Sequence, residues 1–321
     1  MVVAAITAIH FTDPACPWAY SARPAHARLR WRFGDQVEWR LALIGLSESA
    51  EAYEARGYTP ERLVDTQHRF STRFGMPYSF EVKPRMSGTA RACRAIVAAR
   101  ELDPALGEAA LRALQLMHFT TPRLLDDDDH LRAALVEVPG LDADAVVASI
   151  DDPAVLTAYQ ADRALARSAE GSPTHAQDRF STSDGPVRYT APSVIFEDAH
   201  GVHFEVGGFQ PFEAYDTALA NLAVGLERRS APGDVLDALL EFPGGLTTAE
   251  LASVMRPSDL VDADSDATTA KLAELAEAGT VSREPAGEDA VWRAAEPAPG
   301  RPNYYSTEEE RPSCLGGSIS R

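Results

Sequence analysis

The first fifty residues carry three different hydrophobic patterns in succession. Residues 2–11 (VVAAITAIHF) form a short, mostly apolar run that ends at Thr12-Asp13-Pro14, as expected of a strand buried on both faces. From Trp18 to Phe33, apolar or small residues recur at helical spacing, and Gly34 is a residue type that commonly ends a helix. Val37 to Leu46 alternates at first and then becomes continuously apolar, which favours a second strand. The chain is therefore predicted to open as β-α-β.

Helical periodicity dominates the next block, from about residue 47 to about residue 180. Six helices are predicted within it: 60–74, 88–101, 104–119, 127–136, 142–150 and 153–168. After the block, residues 192–197 and 202–206 are typical of a β-hairpin, and residues 211–226 of a helix with proline in its first turn. A β-α-β half, a helical insertion and a β-β-α half are expected to form one α/β domain over residues 1–228.

A second, smaller unit is predicted over residues 233–294. Three short helices (234–241, 247–255 and 267–278) precede a small hairpin (280–283 and 290–293), an order that resembles a winged helix. The segment 231–294 holds four bases and thirteen acids, a net charge of −9, so we expect docking or homodimer formation rather than DNA binding. Residues 295–321 are rich in Pro, Gly, Ser and Glu and are predicted to form a disordered tail.

Charge and cysteine content narrow the range of partners. The chain has 48 acidic and 30 basic residues and a net charge of −18, which would repel nucleic-acid backbones and anionic membrane surfaces. No segment approaches the roughly 18 uninterrupted apolar residues that a membrane span needs. Three cysteines are too few for a disulfide scaffold, and the N-terminus has no basic leader pattern, so we expect a cytoplasmic protein.

Residues 13–20 (DPACPWAY) place a cysteine between the end of a strand and the start of a helix. Backbone N–H groups at a helix N-terminus stabilise a thiolate, so this position predicts a pKa for Cys16 below the usual value of about 8.5. Pro17 suits the first helical turn, where its missing N–H costs nothing. Far along the chain, Ala191-Pro192 precedes an apolar strand, where a cis bond would leave the backbone of Ala191 free to pair with an extended substrate.

These motifs, in this order of elements, resemble the thioredoxin-like superfamily and, within it, the DsbA-like family that includes FrnE-type proteins. The resemblance covers roughly residues 3–226. Residues 16–18 (Cys-Pro-Trp) are similar to the start of the family's Cys-Pro-Trp-Cys motif, Ala191-Pro192 to its cis-proline step, and residues 208–211 (GFQP) to a Gly-Ala-Gln segment before its last helix. The resemblance implies that Cys16 is the nucleophile, that Pro17, Trp18, Ala191 and Pro192 shape the substrate groove, and that Gln210 lies close to it.

Ala19 stands where the family has its second cysteine. A dithiol cycle needs a resolving thiol, so a reaction at one thiol is expected instead, with a small-molecule thiol of the glutathione or mycothiol type, an electrophile or a protein disulfide as partner. The superfamily also contains 2-hydroxychromene-2-carboxylate isomerases and kappa-type glutathione transferases, which use a bound thiol. Three functions remain open: a monothiol oxidoreductase without a tightly bound cofactor, a thiol-cofactor-dependent isomerase or transferase, and a degenerate, non-catalytic binding protein.

Further side chains are candidates for the same site. Cys93 is either a distal resolving thiol or, as we favour, a buried core residue, because free cysteine is among the most buried residue types. His10 and Asp13 lie near the end of the first strand, where His10 could reach Cys16, although a lone strand histidine is more often a core residue. Cys314 lies in the tail and carries no predicted role.

Two other groups of residues are candidate sites. The acidic run 126–130 (DDDDH) could suggest a metal ligand set, but acids before a helix stabilise its N-terminus, and we favour capping. No cluster has the spacing of a zinc site, and no metal is predicted. Several aromatic residues could line an apolar pocket between the insertion and the α/β core: Trp18, Tyr20, Phe70, Phe74, Tyr78 and Phe119.

Overall fold

The computed structural model describes residues 6–183 and 185–295. The strands are β1 (Ile6–Thr12), β2 (Val37–Leu43), β3 (Phe180–Ser181), β4 (Arg188–Tyr189), β5 (Ser193–Asp198), β6 (His203–Val206), β7 (Leu246–Thr247), β8 (Val281–Ala286) and β9 (Asp289–Ala294). The helices of the first unit are α1 (Pro17–Ser21), α2 (Arg23–Phe33), α3 (Ala50–Glu54), α4 (Pro60–Phe74), α5 (Ala90–Leu102), α6 (Pro104–Thr120), α7 (Asp128–Leu135), α8 (Ala143–Ser149), α9 (Pro153–Ala166), α10 (Pro173–Ala176) and α11 (Phe212–Leu222). The second unit adds α12 (Val235–Glu241), α13 (Thr248–Val254) and α14 (Ser265–Glu277).

The central sheet has the strand order β2-β1-β5-β6. β1 pairs in parallel with β2 and antiparallel with β5, and β6 extends the sheet as the second strand of a hairpin. One face of β1 presents Ile6 and Ala8 to α2 and α11, while Phe11 faces the opposite side. The sheet is thus buried between helices, as the apolar run in β1 predicts, and the fold is thioredoxin-like with a helical insertion.

The insertion forms its own apolar core against one edge of the sheet. α5, α6 and α9 pack around Leu41 and Leu43 of β2, and alanines at helical spacing keep α5 close to its neighbours. Four of the predicted helices begin at acidic or hydroxyl caps, as their sequences favour: Thr59, Asp103, Asp127 and Asp142. Short elements that the periodicity did not predict are also present, namely α3, α10 and the pair β3–β4.

The predicted helix over residues 18–33 is two helices in the structure. α1 ends at Ser21 and α2 begins at Arg23. Pro24 explains the break, because it lacks the N–H that a continuous helix would use at that position. Cys16 therefore precedes a helix of five residues rather than one of sixteen.

The C-terminal unit contains the three predicted helices and the predicted hairpin. The short strand β7 joins the hairpin in a sheet of order β7-β9-β8. Its apolar core includes Ala27 and Trp31 of α2, so the unit packs directly on the first one. The winged-helix resemblance and the limits of the two domains stay predictions. The predicted tail lies outside the described residues, and among the described helices none is long and apolar enough to cross a membrane.

Candidate functional site

The structure brings the two distant motifs together around one sulfur atom. Cys16 is the N-cap residue of α1, in extended conformation directly after the turn that follows β1. Its thiol donates a hydrogen bond of 3.2 Å to the carbonyl oxygen of Ala191, 175 residues away. The Ala191–Pro192 peptide bond is cis. The thiol therefore lies beside the backbone of residue 191, at the start of β5.

The expectation of a lowered pKa at Cys16 is wrong for this conformation. Burial raises the pKa of Cys16 to about 12, and the neighbouring Asp13 adds to the rise. The backbone amides of Ala19 and Trp18 and the charge of Arg188 act in the opposite direction. Because the thiol is only 6% exposed and α1 is short, the amides do not offset the loss of hydration. The resting sulfur is a neutral thiol.

A cleft of about 610 Å³ opens next to Cys16. We call it the Cys16 cleft; its described lining is Ala15, Cys16, Pro17, Trp18, Leu46, Tyr53, Arg56, Tyr58, Leu63, Thr66, Phe70, Lys83, Met86, Ser87, His118, Ser181, Ser183 and Arg188. Its volume falls within the range of roughly 300–1,000 Å³ that small-molecule sites occupy. Pro17 and Trp18 thus lie where a groove-shaping role requires them.

Trp18 is 40% exposed and belongs to an aromatic group at the edge of the cleft. Its ring centroid lies 4.8 Å from that of Phe70, 5.9 Å from Phe74 and 5.5 Å from Phe209. The other three predicted pocket aromatics, Tyr20, Tyr78 and Phe119, form a buried cluster with Met76 and Ala249; Phe70 packs against this cluster, but its three aromatics do not line the Cys16 cleft. The six residues therefore do not line one pocket.

Gln210 supports a turn and does not line the Cys16 cleft. Its side-chain amide donates to the carbonyl oxygen of Gly207. The adjacent Gly208 has a φ of 72°, which favours glycine, and its N–H donates to Ser193 in β5. Phe209 contacts Trp18, which makes its ring part of the aromatic group at the edge of the cleft.

Asp13 is a fully buried acceptor that fixes the loop before Cys16. Its carboxylate accepts hydrogen bonds from the amides of Ala15 and Leu46 and from the hydroxyl of Thr89. Burial raises its pKa, and these three hydrogen bonds oppose the rise. The side chain joins the end of β1 to α5 and to the segment after β2, so its contacts assign it a positioning role.

Cys93 lies on α5 in the core of the insertion, fully buried. Its thiol lies 3.6 Å from a carboxylate oxygen of Asp13, and burial raises its pKa well above the usual value. Cys16 and Cys93 are both free thiols. These surroundings match the core interpretation, and Cys314 lies outside the described residues.

His10 points away from Cys16. It shares the face of β1 that carries Ile6 and Ala8, and its ring centroid lies 4.7 Å from that of His26 and 6.1 Å from that of Trp39. Burial lowers its pKa to about 3, so it is neutral. His10 therefore lies in the core between β1 and α2.

The acidic run caps a helix, as we favoured. Asp127 accepts from the amides of Asp129 and His130 at the start of α7. Asp126 and Asp128 pair with arginines instead of with a common centre. Among the described residues no group of three or more His, Cys, Asp or Glu side chains could hold a metal ion.

Sequence reasoning missed two polar residues that line the Cys16 cleft, Lys83 and His118. Lys83 lies in the irregular segment between α4 and α5, and His118 on α6. Neither has a spacing relation to residues 13–20, so only the fold reveals that they line the same cleft. The scarcity of lysine was an available signal, because Lys83 is one of only two lysines in the chain.

The model of the DSBA-like thioredoxin domain family matches residues 7–180, more than half of the 321-residue chain. The chain belongs to this family. The matched range includes Cys16 and Ala19 and ends before the cis peptide bond. This DSBA-like protein thus shares with its family the fold that presents Cys16.

Individual relatives of this DSBA-like protein are distant. The curated ClpXP adapter protein SpxH of Shouchella clausii (strain KSM-K16) is 26% identical over 250 residues, which cover 76% of each chain. A Nitrosomonas europaea protein, provisionally named a protein disulfide isomerase, is 15% identical with a TM-score of 0.52 over 67% of this chain and 96% of its own. Cytosolic disulfide reductase DsbM from Pseudomonas aeruginosa is 20% identical over 68% of this chain and 100% of its own, with a TM-score of 0.47. The likeness to the Nitrosomonas europaea protein shows the fold.

Proposed function

We propose that this DSBA-like protein carries out thiol–disulfide exchange at a single thiol, Cys16, with a low-molecular-weight thiol as second reactant, in the cytoplasm. The observation that carries the proposal is the position of the Cys16 sulfur, 3.2 Å from the carbonyl oxygen of Ala191 and on the wall of the Cys16 cleft. Ala19 supplies no second thiol, so the motif itself cannot complete a dithiol cycle.

The exchange balances with two external sulfur compounds. The Cys16 thiolate attacks one sulfur of a disulfide RSSR, which forms a mixed disulfide with Cys16 and releases RS⁻. A second thiolate R′S⁻ then attacks the sulfur of R in that mixed disulfide, forms RSSR′ and frees the Cys16 thiolate. A proton moves from R′SH to RS⁻ over the two steps, and the protein is unchanged.

A buried neutral thiol can enter this cycle because its surroundings also contain groups that favour the thiolate. The amides of Trp18 and Ala19 and the charge of Arg188 already lower the pKa of Cys16 against the effect of burial. A disulfide that enters the cleft and aligns with residue 191 competes for the Ala191 carbonyl that now accepts from the thiol. The thiol can donate this hydrogen bond only while it is protonated, so the bond stabilises the neutral form of Cys16. Its loss therefore lowers the pKa of Cys16.

The test is catalysed reduction of bis(2-hydroxyethyl) disulfide by glutathione, followed through glutathione reductase and NADPH. The full-length protein should accelerate the reaction above the background, and Cys16→Ser should remove at least about 99% of that acceleration because no other thiol lines the described cleft. Cys93→Ser is the matched control and should keep the activity, since Cys93 lies in the core of the insertion. Equal activity in Cys16→Ser would contradict the proposal.

A second function, protein-binding adapter, is favoured by one comparison. The match to the ClpXP adapter protein SpxH covers 76% of this chain, more than the first unit holds, so it extends into the C-terminal unit. An adapter would bind purified ClpX saturably, and the variant without Cys16, Cys93 and Cys314 would bind equally well. No binding at micromolar ClpX would exclude this function.

The isomerase or transferase alternative stays a prediction. Turnover of an aromatic electrophile that survives Cys16→Ser, yet requires added thiol, would support it over exchange at Cys16.

A further inference from the structure

The described lining of the Cys16 cleft carries basic but no acidic side chains, although the protein as a whole is strongly acidic. Its described lining contains Arg56, Lys83 and Arg188, and none of its described lining residues is Asp or Glu. The whole chain has a net charge of −18. Clefts lined by one sign of charge attract ligands of the opposite sign. This distribution points to an anionic ligand.

Lys83 is the most deeply buried of these cations. Its side chain is 5% exposed, and its ammonium donates to the carbonyl oxygens of Thr121 at 2.9 Å and Arg123 at 2.7 Å. An ammonium group has three donors, so one remains after these two bonds. No described carboxylate lies within ion-pair distance of it. Burial lowers its pKa to about 8, which leaves Lys83 mostly charged at neutral pH.

His118 is a second buried polar group on the same cleft. The residue is 6% exposed, and its Nδ1 atom has no hydrogen-bond partner among the described residues. Burial and the nearby charge of Lys83 lower its pKa well below the usual value, so the ring is neutral. A neutral imidazole can carry its proton on Nδ1 and donate it to an anion. Buried polar atoms normally have partners, and a bound ligand would supply one here.

We infer that Lys83 and His118 bind a carboxylate group of the ligand of the Cys16 cleft. The inference rests on the proposed function, because the ligand meant here is the small thiol or disulfide that reacts with Cys16. The inference adds that this ligand carries a carboxylate group. Lys83 supplies the countercharge and its remaining donor, and His118 supplies a neutral donor. Arg56 lines the same cleft and donates hydrogen bonds to the backbone carbonyl oxygens of Ala52 and Leu46.

The test measures equilibrium binding of S-methylglutathione, a carboxylate-bearing thioether that cannot exchange with Cys16, by titration calorimetry on the full chain. Its dimethyl ester, which lacks both carboxylates, is the comparison ligand. The wild-type protein should bind the carboxylate form at least about tenfold more tightly than the ester, as the loss of a charge-assisted hydrogen bond implies. Lys83→Met should reduce that preference to about twofold or less.

Lys271→Gln is the matched control, because Lys271 is the other lysine and lies exposed in the C-terminal unit beside Glu274. It should retain the full preference. The ester comparison uses the unaltered protein, so it remains decisive even if Lys83→Met does not fold. Equal affinities for the two ligands, or absence of binding, would overturn the inference. Loss of exchange at Cys16 with the carboxylate preference intact would overturn only the proposed function.

Discussion

The surroundings of Cys16 show how burial and hydrogen bonding compete at a single residue. The amides at the start of α1 favour the thiolate, but the thiol is nearly enclosed and donates to the Ala191 carbonyl. The charge of Asp13, fixed by its own hydrogen bonds, adds to the cost of a second negative charge. The sulfur is therefore held in place with low reactivity until a ligand changes its surroundings.

We therefore predict slow alkylation of Cys16 near neutral pH in the free protein. Since burial raises the pKa of Cys16 to about 12, the thiolate fraction should still increase with pH well above the value of about 8.5 at which an ordinary thiol is half ionised. The measurement is the iodoacetamide rate against pH in a Cys93→Ser, Cys314→Ser protein. A rate that levels off near pH 8.5 or below would contradict the raised pKa.

The sequence predicted the cis peptide bond before Pro192, but not the raised pKa of Cys16 or most of the cleft lining. Cys16 and Pro192 could be identified because each lies in a short contiguous motif: a cysteine directly before a helix, and a proline directly before a strand. His10 lies on the Ile6 and Ala8 face of β1, in agreement with the core interpretation favoured for a lone strand histidine. Strand periodicity gives the alternation of faces but not which face meets the thiol, so the sequence left both positions open. Lys83 was missed because it lies in an irregular segment without a periodic pattern. His118 was missed because it lies on α6, whose apolar spacing predicts a core helix.

At the scale of elements, α1 decides how the motif is presented. Cys16 and Ala19 are three residues apart at the start of this helix, a spacing that places side chains on the same face. Ala19 is buried against the same apolar cluster as Cys16. One side-chain substitution at position 19 would therefore place a second thiol on the same face of α1 as Cys16.

Ala19→Cys should accordingly form a disulfide with Cys16 under mild oxidation. The expected product has lost two hydrogens and both thiols of the motif, as shown by intact mass and by thiol counting before and after reduction. Ala22→Cys is the control, because Ala22 follows the end of α1. Two free thiols at positions 16 and 19 after oxidation would show that the start of α1 differs from the described geometry.

Most elements could be predicted because their patterns are local. α5, α6 and α9 were predicted from helical spacing, and the hairpin β5–β6 from alternation and a turn. The break between α1 and α2 was missed although Pro24 marks it, because the apolar spacing continues in phase across the break. The two-residue strands β3, β4 and β7 are too short for periodicity to detect.

At the scale of the whole molecule, the C-terminal unit is joined to the Cys16 unit by a buried ion group. Glu250 of α13 accepts two hydrogen bonds from Arg112 of α6 and one from Arg23 of α2. Burial opposes ionisation of Glu250, yet Arg112 and Arg23 lower its pKa to about 2. Arg112 and Arg23 lie 138 and 227 positions before Glu250, and no local sequence pattern predicts contacts over such separations.

Glu250→Ala should destabilise the protein by roughly 3–5 kcal/mol, because it leaves buried guanidinium groups without their carboxylate. The measurement is urea unfolding of the full chain. Since the pKa of Glu250 is lowered to about 2, the wild-type advantage should be full above pH 4.5 and decrease as the pH falls towards 2. Glu274→Ala is the matched control and should change stability by less than about 0.5 kcal/mol, because Glu274 is exposed. Equal losses in the two variants would contradict a buried ion group at this interface.

The central claim is that Cys16 is the thiol at which exchange occurs. Its most direct test is the intact mass of the protein after incubation with glutathione disulfide, followed by peptide mapping. We expect one mixed disulfide, located on Cys16, absent in Cys16→Ser and removed by added thiol. Cys16 that remains unmodified while the disulfide is in excess, or an adduct confined to Cys93 or Cys314, would contradict it.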